Sequence, residues 1–251
     1  NRERVQVGNI EVGGDRLTLI AGPCVIEDEE ICLEVAEHVR DLAKELGVNY
    51  IFKSSFEKDN RSSPSAYKGP GLDKGLAILE KVRQEVGVPV LSDIHCRTQV
   101  EEAAQVLDIL QIPAYLSQQT ELALAAGRTG KPINVKKGQF IAPEDMVGVV
   151  SKIRSTGNHR IILTERGTCF GYRRLVVDMR SFPILRSLGC PVIFDVTHSI
   201  RIYGLPSSDP RGGEPEFVPF LARAGVACGI DGIFIETHPC PDRALCDASS
   251  T

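Results

Sequence analysis

Chemically reactive side chains stand where short apolar runs of this chain end. A thiol, an imidazole and a carboxylate each follow such a run, and a second carboxylate comes after the last one. These groups suit Zn²⁺ or Fe²⁺ better than Mg²⁺ or Ca²⁺. The candidate metal ligands are Cys24, His198, Glu236 and Asp247. A buried cysteine beside unrelated polar residues would give the same pattern, so the runs alone leave both interpretations open.

Basic side chains end other runs. Lys53 and Lys58 flank one run and Arg61 follows it, while Lys136 and Arg166 end two more. Arginine contacts phosphate with two parallel hydrogen bonds, and lysine acts as a point charge. Since the chain carries a net charge of −4, basic residues gathered in one place need a local purpose. Two such clusters predict binding of anionic small molecules, with solvated surface charge as the alternative.

Buried strands alternating with helices must position these groups. Strands are predicted at 17–24, 50–56, 89–95, 109–113, 132–137, 160–166, 191–198 and 231–238, and helices at 29–46, 74–86, 120–126, 143–153 and 217–228. Strands and helices that alternate in this way form parallel sheets joined by crossovers. Eight such units in 251 residues predict one α/β domain over 1–251, a (β/α)8 TIM barrel, whose active site lies at the C-terminal mouth of the strands.

Three peripheral segments complete this prediction. Residues 1–16 alternate and turn at Gly8-Asn9, which predicts a β-hairpin that caps the barrel floor. The long loop at 202–215 is rich in Gly, Pro and Ser, so we expect either a mobile lid or a plain insertion. Residues 242–251 are too few for a full eighth helix.

Composition excludes several classes of protein. The acidic balance argues against nucleic-acid or membrane-surface binding, and no apolar stretch is long enough to span a bilayer. The first residues do not resemble a signal peptide. Eight scattered cysteines favour free thiols in the cytoplasm over a disulfide framework. Cys32, Cys190 and Cys228 are interpreted as core residues, and Cys246 is given no role.

Seven blocks, in order along the chain, closely resemble the family of 3-deoxy-D-manno-octulosonate 8-phosphate (KDO 8-phosphate) synthases. The blocks are LIAGPC at 19–24, FKSSFEKDNRSS at 52–63, QIPA at 111–114, NVKKGQ at 134–139, TERG at 164–167, FDVTHS at 194–199 and ETHP at 236–239. The resemblance implies an enzyme that condenses phosphoenolpyruvate with D-arabinose 5-phosphate and water, giving KDO 8-phosphate and phosphate.

The resemblance also implies a metal centre. The family has a metal-dependent and a metal-independent branch, which carry Cys and Asn, respectively, at one position. Cys24 places this chain with the metal-dependent branch, with His198, Glu236 and Asp247 as the other ligands. The expected ion is Zn or Fe, with Mn or Cd as alternatives. Its role is either to orient water or to polarise the aldehyde.

The roles of the remaining site residues follow from the same resemblance. Lys136 and Arg166 would hold the phosphate of phosphoenolpyruvate, in a site lined by Gln111 and Ala114; Lys53, Ser55 and Lys58 would hold its carboxylate; and Asn60, Arg61, Ser62 and Asp93 would hold arabinose 5-phosphate. Lys58, His198 and Asp247 are the expected catalytic residues, and Lys58 could relay a proton to the aldehyde oxygen. A neighbouring subunit completes the sugar-phosphate end in this family, so a homotetramer is expected.

Two departures and two rival functions accompany the resemblance. The segment 204–215 differs from the Gly-rich loop of the family, and Pro215 stands where the metal-dependent branch has Arg. The nearest rival function is that of the sister enzyme that uses erythrose 4-phosphate (DAHP synthase). That family has Lys-Pro-Arg-Thr where this chain has Asn60-Arg61-Ser62-Ser63. A catalytically inactive sugar-phosphate sensor is the other.

Overall fold

The computed structural model describes residues 3–61, 63–169, 173–205, 209 and 211–251. Within these ranges, eight parallel strands close into a barrel, and a separate two-stranded hairpin precedes them. The hairpin strands are β1 (Val5–Val7) and β2 (Ile10–Val12), and the barrel strands are β3 (Thr18–Gly22), β4 (Asn49–Lys53), β5 (Val90–Asp93), β6 (Ile109–Ile112), β7 (Ile133–Lys136), β8 (Ile161–Glu165), β9 (Val192–Asp195) and β10 (Gly232–Glu236). The predicted (β/α)8 barrel with an N-terminal hairpin is confirmed.

Helices connect the barrel strands. They are α1 (Glu29–Leu46), α2 (Leu72–Val86), α3 (Val100–Val106), α4 (Thr120–Arg128), α5 (Val147–Arg154), α6 (Ser181–Ser187), α7 (Val196–Ser199) and α8 (Val218–Ala227), with single 3₁₀ turns at Arg97–Gln99, Ala114–Leu116, Pro143–Met146, Pro215–Phe217 and Pro241–Arg243. After β10, the described residues contain only the last of these turns. None of the described helices is long and apolar enough to cross a membrane.

The first helix shows why its bounds were predictable. Asp28 accepts a hydrogen bond from the Ile31 backbone N–H at 2.8 Å, and Gly47 ends the helix with a left-handed φ of 68°. These are the usual signals for the start and the end of a helix. In contrast, the sequence did not predict α3 and α6, because seven residues hold too few turns for a helical period to stand out.

The predicted seventh strand, 191–198, runs too far. The strand ends at Asp195, whose carboxylate accepts a hydrogen bond from the His198 backbone N–H at 2.9 Å. That contact caps the single turn α7. His198 therefore lies on a helical turn above the barrel rather than in the strand itself.

The hairpin closes the N-terminal end of the barrel, as the sequence predicted. Its turn lies at Gly8-Asn9, and Gly8 and Gly13 lie near the prolines that precede β5 and β9. Apolar hairpin side chains form one cluster with inward-facing strand residues; the cluster comprises Val5, Val7, Ile10, Val12, Ile20, Ile51, Leu91, Ile109, Ile162, Ile193 and Phe234. The polar groups gather at the opposite end.

Candidate active site

A buried chain of hydrogen bonds crosses the barrel interior and ends on Asp93. Thr164 donates to Asn134 at 2.7 Å, Asn134 donates to Gln111 at 2.8 Å, and Gln111 donates to Asp93 at 2.5 Å. Ser55 donates to the other oxygen of Asp93 at 2.6 Å. The network therefore links side chains from five neighbouring strands or strand ends, and it fixes the orientation of the Gln111 side chain.

Lys58 supplies the charge that matches Asp93. Its Nζ lies 3.4 Å from Asp93 Oδ2, and both side chains are buried. Burial alone would raise the pKa of Asp93, but Lys58 and Lys53 hold that pKa well below its usual range. Likewise, burial alone would lower the pKa of Lys58, but the acidic groups that face it, Cys24 and Asp93 foremost, raise it. Lys58 and Asp93 therefore each stabilise the charged form of the other.

A second group is built around Asp195. One carboxylate oxygen lies 2.6 Å from Lys136 Nζ and 2.8 Å from His198 Nδ1. The Lys136 ammonium also lies 3.7 Å from the centre of the Phe234 ring, a favourable cation–π contact. Burial lowers the pKa of Lys136, against the pull of Asp195. Asp195 fixes the imidazole by its Nδ1, which leaves Nε2 to face the acidic groups.

The four predicted metal ligands lie in two groups that share Asp247. His198 Nε2 is 3.7 Å from Glu236 Oε1 and 3.7 Å from Asp247 Oδ2. Cys24 Sγ lies 3.3 Å from the same Asp247 oxygen. In each group the donor atoms lie within 4.8 Å of one another. The donor set of sulfur, nitrogen and carboxylate oxygen is the kind that binds Zn²⁺ or Fe²⁺.

Two further observations fit a cation at this position. Glu236 Oε1 pairs with Lys53 Nζ at 3.0 Å, while the buried Oε2 has no hydrogen-bond partner among the residues that the structure describes. An unpartnered buried carboxylate oxygen is costly unless something positive satisfies it. Burial, together with the neighbouring Cys246, raises the pKa of the Cys24 thiol, so that thiol must lose its proton when a metal binds.

A cavity of about 210 Å³ opens at the mouth above these groups. Its lining includes the cations Lys58, Arg61, Arg166 and Arg201 as well as His198 and Asp247. A smaller adjoining cavity of about 60 Å³ is lined by Asp93, Ala114 and Lys136, and it shares Lys58, Asn60 and Arg166 with the first. The mouth is therefore electropositive, as expected of a site for anionic small molecules.

The structure brings together most, but not all, of the predicted substrate residues. Lys53 and Ser55 line neither cavity, since Lys53 pairs with Glu236 and Ser55 with Asp93. Gln111 is fully buried and lines neither cavity. Ser62, and part of the predicted lid at 204–215, lie outside the described residues. Within the described part of that segment, Gly204 and Leu205 line the mouth.

Sequence reasoning missed three residues of the site. Arg201 lies 3.3 Å from Asp247 Oδ1, and the Tyr203 hydroxyl accepts a hydrogen bond from Arg166 at 3.3 Å. Cys246 Sγ lies 2.7 Å from Cys24 Sγ. The signal for Arg201 and Tyr203 was their place soon after the FDVTHS block at 194–199. For Cys246, it was its place directly before Asp247.

The predictions for the other cysteines can also be checked. Cys32 and Cys190 are buried, as predicted. Cys228 is exposed, so its interpretation as a core residue was wrong. It directly follows the last turn of α8, and the apolar residues around it in the sequence concealed that its side chain faces away from the core.

These features define a (β/α)8-barrel protein with a polar, electropositive mouth and a candidate metal centre. The sequence model of the DAHP synthetase I family matches residues 3–251. The chain therefore belongs to that family.

Curated relatives confirm the resemblance to the KDO 8-phosphate synthases. The chain is 56% identical over 250 residues to a 2-dehydro-3-deoxyphosphooctonate aldolase of Syntrophotalea carbinolica, covering 99% of this chain and 90% of the relative. It is 57% identical over 248 residues to the protein of that name from Citrifermentans bemidjiense, covering 98% and 90%. The one from Geobacter sulfurreducens is 53% identical over 248 residues, covering 98% and 91%.

Proposed function

We propose that this protein is a KDO 8-phosphate synthase, which condenses phosphoenolpyruvate with D-arabinose 5-phosphate and water to give KDO 8-phosphate and phosphate. The names of its relatives support this reaction. The observation that carries it in this chain is the electropositive mouth, where Lys136 lines the smaller cavity, Arg61 the larger one and Arg166 both. Two phosphorylated reactants need two such groups of cations.

The residues would act on the two substrates as follows. Lys136 and Arg166 would hold the phosphate of phosphoenolpyruvate beside Gln111 and Ala114, and Lys53, Ser55 and Lys58 would hold its carboxylate. Asn60, Arg61, Ser62 and Asp93 would hold arabinose 5-phosphate. Fixing both reactants turns a bimolecular step into an effectively intramolecular one. Since Lys53 and Ser55 are occupied by Glu236 and Asp93, their action on the carboxylate would require those contacts to loosen.

The bond changes are consistent with these positions. Carbon 3 of the enol attacks the aldehyde carbon, which leaves positive charge at carbon 2. Water adds there, and phosphate leaves by cleavage of the C–O bond. Lys58 lines both cavities, and from this position it would donate a proton to the aldehyde oxygen. A Lys58→Met variant with normal turnover would remove Lys58 from this role.

We propose that the enzyme depends on a divalent metal ion, Zn or Fe foremost. Cys24, His198, Glu236 and Asp247 would hold it, and Glu236 Oε2 would gain the partner that it lacks among the described residues. Such an ion, when bound, polarises an oxygen or orients water. His198 would bind through Nε2, because Asp195 holds its Nδ1.

We further propose a homotetramer located in the cytoplasm. Three large apolar side chains on or beside α8, Phe217, Phe220 and Val226, are at least 45% exposed, which supports burial in an association surface. The cysteines are free thiols, as in reducing compartments. Light scattering coupled to gel filtration would measure the mass of the assembly, and a 27.4 kDa monomer would contradict the tetramer.

One assay tests the reaction and its closest rival. Phosphate release is measured with phosphoenolpyruvate plus arabinose 5-phosphate, and separately plus erythrose 4-phosphate. We expect rapid release with the pentose phosphate only. Release with the tetrose phosphate alone would identify the sister activity, and release with neither would identify a binding protein.

The metal is tested on the same protein. In protein prepared without chelator, elemental analysis should find about one divalent ion per chain, because thiolate sites bind tightly. Activity should fall on chelation and return when the ion is restored. Full activity in chelator, with less than about a fifth of an equivalent of metal, would contradict the assignment of Cys24.

A further inference from the structure

A second thiol lies inside the candidate metal centre. Cys246 Sγ is 2.7 Å from Cys24 Sγ and 3.6 Å from Asp247 Oδ2, and both cysteines are buried. Cys246 directly precedes Asp247, so the segment that delivers the carboxylate delivers this sulfur as well. We call Cys24 and Cys246 the thiol pair.

The surroundings of the thiol pair differ from those of a packed core. Cys32 lies within the main apolar core cluster, where a small apolar side chain suffices. The thiol pair packs against Val25 and Tyr67 in a small separate cluster, but it also contacts the carboxylate of Asp247, which lines the electropositive mouth. Two thiols gain little from touching each other, because the S–H group is a weak donor and sulfur a weak acceptor. Apolar packing alone therefore does not account for their position.

Nearby cations favour negative charge on this sulfur. Arg61 Nη1 donates to Cys246 Sγ at 2.9 Å. Arg201 pairs with Asp247, and Lys53 pairs with Glu236. A cluster of thiolates and carboxylates is tolerated in a buried place only when positive charge surrounds it. The flanking side chains supply part of that charge, and a divalent ion would supply the rest.

The geometry also suits a shared ion. Zn–S bonds are about 2.3 Å long, so two thiolates on one ion lie on the order of 4 Å apart. The thiol pair needs to open by only about 1 Å to reach this spacing. Asp247 Oδ2 already lies 3.3 Å and 3.6 Å from the two sulfur atoms, which is near the spacing of ligands around one ion.

We propose that Cys246 supplies a second thiolate to the metal centre formed by Cys24, His198, Glu236 and Asp247. This inference rests on the metal dependence proposed above and extends it to a donor that the resemblance to the family did not supply. Soft thiolate ligands select Zn²⁺ over Mn²⁺ or Mg²⁺. A centre with two sulfur ligands should therefore hold Zn²⁺ more selectively than a centre with one.

Cobalt(II) reports the number of thiolates directly, because each Co–S bond contributes to a charge-transfer band in the near ultraviolet. The apo-protein is prepared with chelator and reductant, so that both thiols are free, and is titrated with Co²⁺ in the absence of oxygen. The proteins compared are wild type, Cys24→Ser, Cys246→Ser and Cys246→Ala. Cys228→Ser, which changes an exposed cysteine, is the matched control.

We expect the band to lose about half its intensity when either thiol of the pair is replaced, and to be unchanged in the control. Zn²⁺ affinity, measured by competition with a chromophoric chelator, should fall at least ~10-fold in both Cys246 variants. Thermal melting of the apo-proteins checks that the variants fold, and the two Cys246 variants provide independent readings.

The outcomes separate the two proposals. A wild-type band and wild-type Zn²⁺ affinity in both Cys246 variants, with loss of both in Cys24→Ser, would overturn the role of Cys246 and leave the metal dependence intact. Wild-type protein that binds neither ion, yet turns over in chelator, would overturn the metal dependence and this inference together. Phosphate release would remain a separate test of the reaction.

Discussion

Lys136 and Asp195 form a buried ion pair in which Nζ and Oδ2 are 2.6 Å apart. The same Asp195 oxygen is hydrogen-bonded to His198 Nδ1, and these two atoms are 2.8 Å apart. One carboxylate thus orients a candidate phosphate ligand and a candidate metal ligand. The two halves of the site, anion binding and metal binding, are joined through it.

Replacing Asp195 with Asn should therefore weaken both functions at once. The imidazole loses the charged partner that orients it, and loss of such a partner usually costs about 10- to 100-fold in metal affinity. Lys136 loses its counter-charge, so the KM for phosphoenolpyruvate should change as well. Zn²⁺ competition and steady-state kinetics measure the two effects. Asp178→Asn, at an exposed carboxylate, is the control, and a variant that changes only one of the two quantities would contradict the shared role.

Arg166 should be needed for its shape and not only for its charge. Arg166→Lys keeps the positive charge but loses the planar fork that binds phosphate with two hydrogen bonds. A charge-assisted hydrogen bond contributes about 1.5–3 kcal/mol, so kcat/KM for phosphoenolpyruvate should fall about 10- to 100-fold. Steady-state kinetics provide the measurement. Arg180→Lys, at a side chain 84% exposed, should match wild type; equal kinetics for both variants would exclude a bidentate contact.

The Asp93–Lys58 pair makes stability depend on pH. The folded-state pKa of Asp93 is depressed, since the lysines outweigh the effect of burial. A depressed carboxyl pKa contributes stability that is fully present above the unfolded value of about 3.9 and is lost as the pH falls toward the folded value. Asp93→Asn should cost about 3 kcal/mol at pH 7, because Lys58 keeps its charge in a buried place.

Urea unfolding of wild type and Asp93→Asn between pH 8 and pH 3.5 measures this effect. The gap in free energy of unfolding should stay constant down to about pH 4 and should narrow below it. Asp41→Asn, at an exposed carboxylate, provides the reference for surface charge. A gap that stays constant to the acid limit would show that the charge of Asp93 contributes nothing.

Two helical glycines should respond in opposite directions to alanine. A Cβ at Gly75 in α2 would lie 2.3 Å from Phe56 Cβ and 2.9 Å from Phe56 Cα, whereas one at Gly148 in α5 would meet nothing within 4 Å. Gly75→Ala should therefore lower the free energy of unfolding by about 1–3 kcal/mol through overpacking. Gly148→Ala should raise it by about 0.5–1 kcal/mol, because alanine favours the helix. Denaturant unfolding measures both, and equal effects would contradict the contact.

The barrel could be predicted from sequence because its signals are local. Buried runs, the helix cap at Asp28 and the glycine at Gly47 each depend on a few neighbouring residues. The convergence of Cys24, His198 and Asp247 is also expected, because the strands that precede them, β3, β9 and β10, are the first, seventh and eighth of a closed barrel and therefore neighbours. Pairing of β10 with both β3 and β9 agrees with that expectation.

What could not be predicted depends on long-range contacts of side chains. Lys136 and Lys137 are adjacent, yet Lys136 faces the site, whereas the fully buried Lys137 pairs with Glu165 at 3.4 Å and donates to backbone carbonyls. Successive side chains of a strand point to opposite faces of the sheet. That alternation continues only as far as the strand itself, and the sequence does not fix where the strand ends. Cys246 contacts Cys24, which lies 222 positions away in the sequence, and no local pattern encodes that contact.

The hairpin at the floor of the barrel limits how reactants and products reach the site. The far end of the barrel is filled by the apolar side chains of Val5, Val7, Ile10 and Val12. The site is therefore closed at the barrel floor. Among the described residues, reactants and products reach the site from the mouth, so a compound bound nearer the barrel floor would enter before one bound at the rim and leave after it. An inhibitor bound at the rim would prevent a compound bound below it from dissociating.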